Sequence, residues 1–436
     1  MILLKNGRVI DPSQGLDGIR DILIENGRIK SVEMPGKINS KLASVEFDAE
    51  GKIITPGFID VHVHLREPGF ENKETIETGS RAAILGGFTS IAVMANTEPV
   101  NDNAVVTKYI LEKARESNQA RVFVIGAVTK GQKGEELAQI GMMAKAGIVA
   151  LSDDGRPVMN SSLMKSAMEY AQMFDLPIIS HAEDLNLSNG APMNEGAVSS
   201  LLGYRGNPNA SEEIMISREI ALARATGVRL HIAHLSTAEG IELVKLAKLQ
   251  GLRVTAEVTP HHLTLNENAF LNGNQSGGLF CTHQHEKSNF KMAPPLRARK
   301  DQEALIEALN SGVIDMVASD HAPHACVDKD VVFELAANGV LGLQTTVPLL
   351  LELVHAQKLS LTRMIEALTK KPADLLNLKD LGTLKPGAFA DLVILDLDKE
   401  WTLLPEALAS ISKNSPFLGR KFKGAVLKTM VGGVWK

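Results

Sequence analysis

Two kinds of hydrophobic pattern divide the chain. Near its start, DILIENGRIKSVE and EFDAEGKIITPG alternate apolar and polar positions, and near its end GAFADLVILDLD and FKGAVLKTMVGGVWK do the same. Strict alternation is typical of half-buried β-strands, and the Asn-Gly pairs at 6–7 and 26–27 are hairpin signals. The pattern therefore predicts one small β domain, built from residues 1–54 and 385–436, beside a larger central domain of residues 55–384.

The central domain alternates short apolar runs with stretches of helical period. Eight runs are strand candidates, at 58–64, 89–96, 120–129, 147–154, 177–183, 229–236, 253–260 and 316–324. Apolar strands between amphipathic helices indicate a parallel sheet covered by helices, and eight strands can close a (β/α)8 barrel. A doubly wound open sheet is the alternative, but it requires a glycine-rich loop after its first strand, where HVHLREPGF stands. The predicted fold is α/β, a TIM-like (β/α)8 barrel with a small β-sandwich domain formed from both termini.

Composition narrows the classes of function. Of 436 residues, 44% are hydrophobic and 22% charged, as in an ordinary soluble globular protein, and the net charge is -5 with no long basic block, which argues against nucleic-acid binding. The longest apolar stretch, 340–354, is interrupted by Gln344 and Pro348 and is too short to span a bilayer. The two cysteines lie far apart, so neither a disulfide framework nor a cysteine-rich zinc module is expected, and a cytoplasmic location fits.

Polar side chains interrupt five of the eight strand candidates at their last positions. They share the place where a barrel gathers its catalytic groups, the carboxyl ends of the strands. The set is His62, His64, Asp153, His181, His234 and Asp320. Imidazoles and carboxylates are costly to bury unless something satisfies them, and together they suit a divalent metal ion.

Two details of this set depend on strand geometry. His62 and His64 are two positions apart, so both face the same side of a strand. In the pair Asp153-Asp154 at most one residue can face the barrel interior. We favour Asp153, because it still belongs to the strand, whereas Asp154 with Gly155 opens a turn.

The other histidines of these segments are interpreted as structural. His231, three residues before His234, is placed on the opposite strand face. His261 and His262 follow the seventh strand candidate and are assigned turn or packing roles. The second HxH pair, at 283 and 285, is assigned to a surface loop.

The segments FIDVHVHLREPG, LSDDGRP, ISHAED, HIAHLS, EVTPHHL and SDHAPH together resemble the amidohydrolase superfamily, and specifically its class I dihydroorotases. The resemblance covers nearly the whole chain. It implies one or two Zn²⁺ ions, two being favoured, and a role for each metal-binding candidate. In that scheme His62 and His64 bind the first ion, His181 and His234 bind the second, Asp153 lies between them, and Asp320 completes the first site and acts as general acid and base.

The same resemblance implies a substrate-binding set. Its members are His64, Arg66, Asn96 and His324, with Ala293, Asn338 and Gly339 as weaker assignments. A guanidinium group can bind a carboxylate through two parallel hydrogen bonds, and amide and imidazole groups add directed ones. Ala293 stands where the family often has asparagine, so only a backbone contact with substrate is expected there.

The reaction implied is the reversible closure of N-carbamoyl-L-aspartate to L-dihydroorotate in de novo pyrimidine (UMP) biosynthesis. In the hydrolytic direction this reaction uses a zinc-activated hydroxide.

One alternative function is that of a cyclic amidohydrolase of the allantoinase or dihydropyrimidinase type. Arg66 and the lack of a lysine on the fourth strand candidate both argue against it. Another is a non-catalytic, dihydroorotase-like partner of aspartate transcarbamoylase, which would be expected to have lost metal ligands. The expected partner is a small-molecule substrate rather than nucleic acid or membrane, and a homodimer or a transcarbamoylase complex stays open.

Overall fold

The computed structural model describes residues 1–272 and 286–436. Its strands are β1 (Ile2–Asp11), β2 (Leu16–Glu25), β3 (Arg28–Glu33), β4 (Val45–Asp48), β5 (Ile53–Pro56), β6 (Phe58–Val63), β7 (Phe88–Val93), β8 (Arg121–Gly126), β9 (Ile148–Leu151), β10 (Ile178–Ser180), β11 (Met193–Asn194), β12 (Gly206–Asn207), β13 (Leu230–Ile232), β14 (Val254–Val258), β15 (Met316–Val317), β16 (Leu392–Thr402), β17 (Lys421–Val431) and β18 (Val434–Trp435). Its α-helices are α1 (Ile76–Leu85), α2 (Ala104–Ser117), α3 (Ile140–Ala146), α4 (Ser161–Gln172), α5 (Leu185–Ser188), α6 (Ala197–Leu202), α7 (Asn209–Thr226), α8 (Ala238–Leu249), α9 (Pro260–Thr264), α10 (Ala269–Asn272), α11 (Arg299–Ser311), α12 (Cys326–Lys329), α13 (Thr346–His355), α14 (Leu361–Leu368) and α15 (Lys370–Leu375).

The central strands form one parallel sheet that closes on itself. Hydrogen-bonded neighbours run in the order β15-β14-β13-β10-β9-β8-β7-β6. A parallel bridge between Val63 on β6 and His321 beyond β15 joins the two edges, and the His64 amide donates to the His321 carbonyl at 2.9 Å. Each of the eight strand candidates contributes one strand. The predicted (β/α)8 barrel is confirmed, and the open-sheet alternative is wrong.

Apolar packing lies on both sides of the barrel wall. A large core between strands and outer helices includes Phe58, Phe88 and Leu230, whereas a smaller cluster includes Val61 and other strand residues. Burial on both faces explains why the strands appear in the sequence as continuous apolar runs rather than alternating ones. Helix α1 illustrates how helices begin after the strands, because the Thr75 hydroxyl accepts a hydrogen bond from the Thr78 amide and caps its amino end.

The two ends of the chain share one eight-stranded sheet. Its order is β18-β17-β16-β5-β1-β2-β3, with β4 paired to β1. Strand β5 joins the ends, because it runs parallel to β1 and antiparallel to β16, where Ile54 lies opposite Ile394. Both residues belong to an apolar core separate from that of the barrel. The predicted β domain from both termini is confirmed, while its boundaries at residues 54 and 385 stay a prediction.

The two Asn-Gly pairs have different roles. Asn26 and Gly27, at φ 51° and 74°, connect β2 to β3 as the predicted hairpin turn. Asn6 and Gly7 instead lie inside β1, where the pairing with β2 shifts register between Leu4 and Gly7. The hairpin prediction at that position is wrong because Asn-Gly signals a left-handed backbone conformation, which a bulge uses as readily as a turn.

The apolar stretch 340–354 contributes most of α13, whose residues are largely buried. Within residues 1–272 and 286–436, no helix is both long and apolar enough to cross a membrane.

Candidate active site

The side chains that interrupt the strands meet at the carboxyl-terminal mouth of the barrel. His62 lies on β6, His64 lies just beyond that strand, and His181 directly follows β10. His234 lies two residues after β13, and Asp320 lies three residues after β15. His234 and Asp320 have φ values of 33° and 46°, in the left-handed region that residues other than glycine rarely adopt. Conformations of this kind concentrate at functional sites, where the surrounding structure holds them.

Asp154, rather than Asp153, faces these histidines. The Asp153 carboxylate turns toward the neighbouring strand end and accepts hydrogen bonds from the amides of Val128 (2.7 Å) and Thr129 (3.2 Å) and from the Thr129 hydroxyl. The prediction for Asp153 is wrong because β9 ends at Leu151, so strand alternation no longer governs either aspartate.

Two overlapping groups of side chains could each hold a metal ion. In the first, His62 Nε2 and His64 Nε2 each lie 3.4 Å from an oxygen of Asp154. Asp320 Oδ1 adjoins this group, 3.5 Å from His62 Nε2 and 3.1 Å from His64 Nε2. In the second group, His181 Nδ1 and His234 Nε2 lie 3.4 and 3.3 Å from Asp154 Oδ1. Asp154 therefore belongs to both groups.

The spacing of these atoms fits tetrahedral zinc. Ligands at about 2.0–2.1 Å from Zn²⁺ in a tetrahedron lie about 3.3–3.4 Å from one another. The nitrogen-to-oxygen distances in the two groups span 3.1 to 3.5 Å. In addition, the buried His62 Nε2 has no hydrogen-bond partner among the described residues. The donor set and its spacing therefore fit a pair of metal ions that share Asp154.

Outer hydrogen bonds fix which ring nitrogen faces the cluster. Three of the candidate ligand histidines each place their second nitrogen against an oxygen atom. The pairs are His62 Nδ1 with Glu257 Oε1 at 2.6 Å, His64 Nδ1 with Asn96 Oδ1 at 2.8 Å, and His181 Nε2 with Glu183 Oε2 at 3.0 Å. A carboxylate or carbonyl oxygen can only accept, so the outer nitrogen carries the proton and the inner one keeps its lone pair for a metal.

Three residues around the cluster have roles that were not predicted from the sequence. Glu257 lies in the middle of the apolar segment RVTAEVTP, and Glu183 lies two residues after His181. A carboxylate within an apolar strand was a usable signal, because it must be satisfied by a partner. His231 was assigned to the opposite strand face, but its Nε2 lies 3.0 Å from Glu257 Oε2 inside the barrel. That assignment is wrong because β13 ends at Ile232, so alternation does not reach His234.

Opposite charges outweigh the cost of burial in the cluster. Burial would raise the pKa values of the Asp154 and Asp320 carboxyls, but the surrounding imidazoles hold both well below the usual range. Burial would lower the pKa of His181, yet Asp154 and Glu183 raise it to about 10. A divalent cation binds neutral imidazole and ionised carboxylate, so it would take the place of protons held here.

Arg66 and His324 lie together beside the metal-binding groups. Arg66, at φ 65°, donates from Nε to the Pro323 carbonyl at 3.1 Å, and its Nη2 lies 3.3 Å from His324 Nε2. His324 Nε2 also lies 2.7 Å from the Asn338 carbonyl. Gly339, at φ 120°, packs so closely that a Cβ would approach Ala322 Cβ to 2.5 Å. The structure thus brings Arg66, His324 and the 338–339 segment together.

The remaining predicted positions have mixed outcomes. Ala293 is half-buried and precedes Pro294, whose carbonyl lies 3.1 Å from His262 Nε2. His262 also lies 2.7 Å from the Thr259 hydroxyl, in keeping with its predicted packing role. His261 is buried, and its Nε2 has no hydrogen-bond partner within residues 1–272 and 286–436. The predicted surface pair at 283 and 285 lies outside the described residues.

Residues 53–436 match the model of the Amidohydrolase family. The chain belongs to the amidohydrolase family. Two curated amidohydrolases named dihydroorotase are similar over almost their whole length. The protein from Syntrophus aciditrophicus is 48% identical across 99% of this chain and 98% of its own, and that from Solibacter usitatus is 49% identical across 99% and 97%. Within the amidohydrolases, this chain therefore groups with the dihydroorotases.

A solved structure shares the amidohydrolase fold at lower identity. The L-hydantoinase (dihydropyrimidinase) from Arthrobacter aurescens is 28% identical, with a TM-score of 0.86, and the match covers 100% of this chain and 95% of that one. The fourth barrel strand of this amidohydrolase, β9 (Ile148–Leu151), carries no lysine, and Lys145 is exposed on α3.

Proposed function

We propose that this amidohydrolase interconverts N-carbamoyl-L-aspartate and L-dihydroorotate, closing the ring with loss of water, as a dihydroorotase of de novo pyrimidine (UMP) biosynthesis. The observation that carries the proposal is the metal-binding cluster beside Arg66 and His324, on a chain 46–49% identical to proteins named dihydroorotase. A cyclic amide with a carboxylate substituent requires both, the metal-binding cluster at its amide carbonyl and the Arg66–His324 pair at its carboxylate.

The cofactor proposed is Zn²⁺, with two ions per chain. His62, His64 and Asp320 would hold the first ion, His181 and His234 the second, and Asp154 both. Bound zinc supplies Lewis acidity, which lowers the pKa of water to about 7 and polarises a carbonyl. The ligands are imidazole and carboxylate groups, the donor set of hydrolytic zinc sites.

Asp320 is proposed as the general acid and base. Its Oδ1 atom lies 3.1 Å from His64 Nε2, so its carboxylate lies at the proposed metal site. In hydrolysis it accepts a proton from the attacking water and delivers it to the departing ring nitrogen. In ring closure it takes the proton from the carbamoyl nitrogen and delivers it to the departing hydroxyl.

The substrate carboxylate is proposed to bind Arg66, Asn96 and His324. The planar guanidinium of Arg66 matches a carboxylate through two parallel hydrogen bonds. Because Asn96 Oδ1 accepts from His64, its amide NH₂ remains available to donate to substrate. Asn338, Gly339 and the Ala293 backbone are proposed as further contacts around the ring. Holding the carboxylate fixes the reacting carbon relative to the cluster.

A matched set of assays tests this function. The full-length protein, purified without chelator, would be analysed for metal and assayed with dihydroorotate, allantoin and dihydrouracil. We expect zinc, near two ions per chain, and turnover of dihydroorotate only. Preference for dihydrouracil or allantoin would contradict the proposal in favour of the hydantoinase-like alternative, and bound zinc without turnover of any of the three would favour a non-catalytic role.

The remaining proposals concern location and assembly. We propose a cytoplasmic location, and the family resemblance suggests a homodimer or a complex with aspartate transcarbamoylase. Light scattering of the purified chain, alone and with the transcarbamoylase, would distinguish a monomer from either assembly.

A further inference from the structure

A chain of polar groups runs through the apolar barrel below the metal-binding cluster. His231 on β13 and Glu257 on β14 are both fully buried, at 0% exposure. His231 Nδ1 lies 2.8 Å from the Thr255 hydroxyl, and His231 Nε2 lies 3.0 Å from Glu257 Oε2. The other oxygen of Glu257 lies 2.6 Å from His62 Nδ1. Three hydrogen bonds thus connect Thr255, half-buried near the start of β14, with His62 at the mouth of the barrel.

The chemistry of the groups fixes the direction of each bond. An ionised carboxylate only accepts, so both His62 Nδ1 and His231 Nε2 donate to Glu257. The His234 amide donates to the same carboxylate at 3.2 Å. A neutral His231 that carries its proton on Nε2 must accept at Nδ1, which the Thr255 hydroxyl satisfies. The alternative acceptor for that hydroxyl, the Leu230 carbonyl, lies farther away at 3.5 Å.

We propose that His231 is a positioning residue for the metal site, an inference that rests on the proposed function. With its tautomer set by Thr255, His231 holds the Glu257 carboxylate so that Glu257 orients His62 and directs the lone pair of His62 Nε2 into the cluster. Without the His231 donor, Glu257 Oε2 is left unpaired in an apolar interior and its hold on His62 is weakened. Outer partners of metal ligands typically contribute about 10–100-fold to metal affinity.

The test uses the full-length protein stripped of metal and titrated with Zn²⁺ against a chromophoric chelator, and separately with Co²⁺ to record its visible absorption. His231→Phe is expected to weaken binding of one ion about 10–100-fold and to alter the Co²⁺ spectrum. His231→Gln, whose amide can donate from the position of Nε2, is expected to restore most of the affinity. Thr255→Val is expected to weaken binding by a smaller factor than His231→Phe.

The matched control is Thr429→Val. Thr429 is a buried threonine on β17 whose hydroxyl donates to the Ile84 carbonyl at 2.7 Å, far from the cluster. Thr429→Val removes a hydroxyl, as Thr255→Val does, so a purely structural effect on zinc affinity would appear in both variants. Loss of zinc affinity in Thr255→Val alone supports the positioning role of His231.

Two outcomes would overturn the inference. One is wild-type zinc affinity and Co²⁺ spectrum in a folded His231→Phe protein. The other is equal zinc affinity in Thr255→Val and Thr429→Val. This second outcome decides the question even if His231→Phe does not fold. A wild-type protein that binds zinc but does not turn over dihydroorotate would refute the proposed function and leave this inference intact.

Discussion

The neighbouring residues Asp153 and Asp154 allow the metal site to be tested within one dipeptide. Both are buried, each with 5% exposure. Asp154 shares its carboxylate between the two metal-binding groups, whereas Asp153 accepts its hydrogen bonds from Val128 and Thr129. The same change, aspartate to asparagine, should therefore have opposite consequences at the two positions.

Asp154→Asn removes the one charge common to both groups. An amide offers a single neutral oxygen, which cannot replace two carboxylate oxygens toward four imidazoles. We expect the loss of at least one zinc ion per chain and of nearly all turnover. The fold should persist, because the barrel is closed by backbone pairing elsewhere, at Val63 and His321.

Asp153→Asn should reduce stability and keep the metal. A hydrogen bond to a charged group contributes about 1.5–3 kcal/mol, and the amide oxygen can retain part of the set, so we expect a loss of about 2 kcal/mol. For a chain of 436 residues, an unfolding entropy of about 2.1 cal/mol/K per residue gives about 0.9 kcal/mol/K. The midpoint temperature should therefore fall by about 2 °C.

Metal analysis and thermal denaturation of the two variants and wild type measure both effects, with dihydroorotate turnover as the third readout. Zinc loss in Asp153→Asn together with normal zinc content in Asp154→Asn would refute the assignment of Asp154 as the shared ligand and restore that of Asp153.

Three further predictions concern Asp320, Arg66 and Lys329. Asp320→Asn should abolish turnover and leave most metal bound, because His62, His64 and the shared Asp154 remain as ligands. Steady-state kinetics together with metal analysis measures both effects, and near-normal turnover would exclude Asp320 as the general acid and base. Arg66→Lys replaces the planar guanidinium with an ammonium group and so loses one of two hydrogen bonds to the substrate carboxylate. At about 1.5–3 kcal/mol for a charge-assisted hydrogen bond, the KM for dihydroorotate should rise about 10–100-fold with a smaller change in kcat. A fall in kcat at constant KM would contradict a binding role. Burial lowers the pKa of Lys329 from 10.5 to about 7, so the unfolded chain binds more protons than the folded one between these values and this group makes the free energy of unfolding rise with pH. Lys329→Met should flatten that rise in urea denaturation series, and an unchanged slope would show that another group causes it.

The fold was predictable because its signals are local. Apolar runs such as FIDVHVH and TSIAVMAN, separated by amphipathic helices, already specify a strand buried on both faces. The errors arose where regular geometry stops. Asp153 was favoured as a strand residue, but β9 ends at Leu151. His231 was placed opposite His234 by alternation, but β13 ends at Ile232, before His234.

Partners across the barrel could not be read from local patterns. Glu257 is recognisable in the sequence as a carboxylate within an apolar strand. Its partner His62, however, lies on β6, 195 residues earlier in the chain. Only closure of the barrel brings the two strands within reach. Asn96 was predicted as a substrate contact from resemblance, and its hydrogen bond to His64 gives it a second role that no motif expresses.

The position of β5 has a consequence for synthesis of the protein on the ribosome. Its antiparallel partner β16 emerges only after the entire barrel has been made, since Ile54 pairs with Ile394. Until then one edge of β5 carries unpaired amide and carbonyl groups, which readily pair with strands of other chains. Strand β5, translated before the barrel, is thus completed only after it, and premature termination within the barrel would release a nascent chain with an open, aggregation-prone edge.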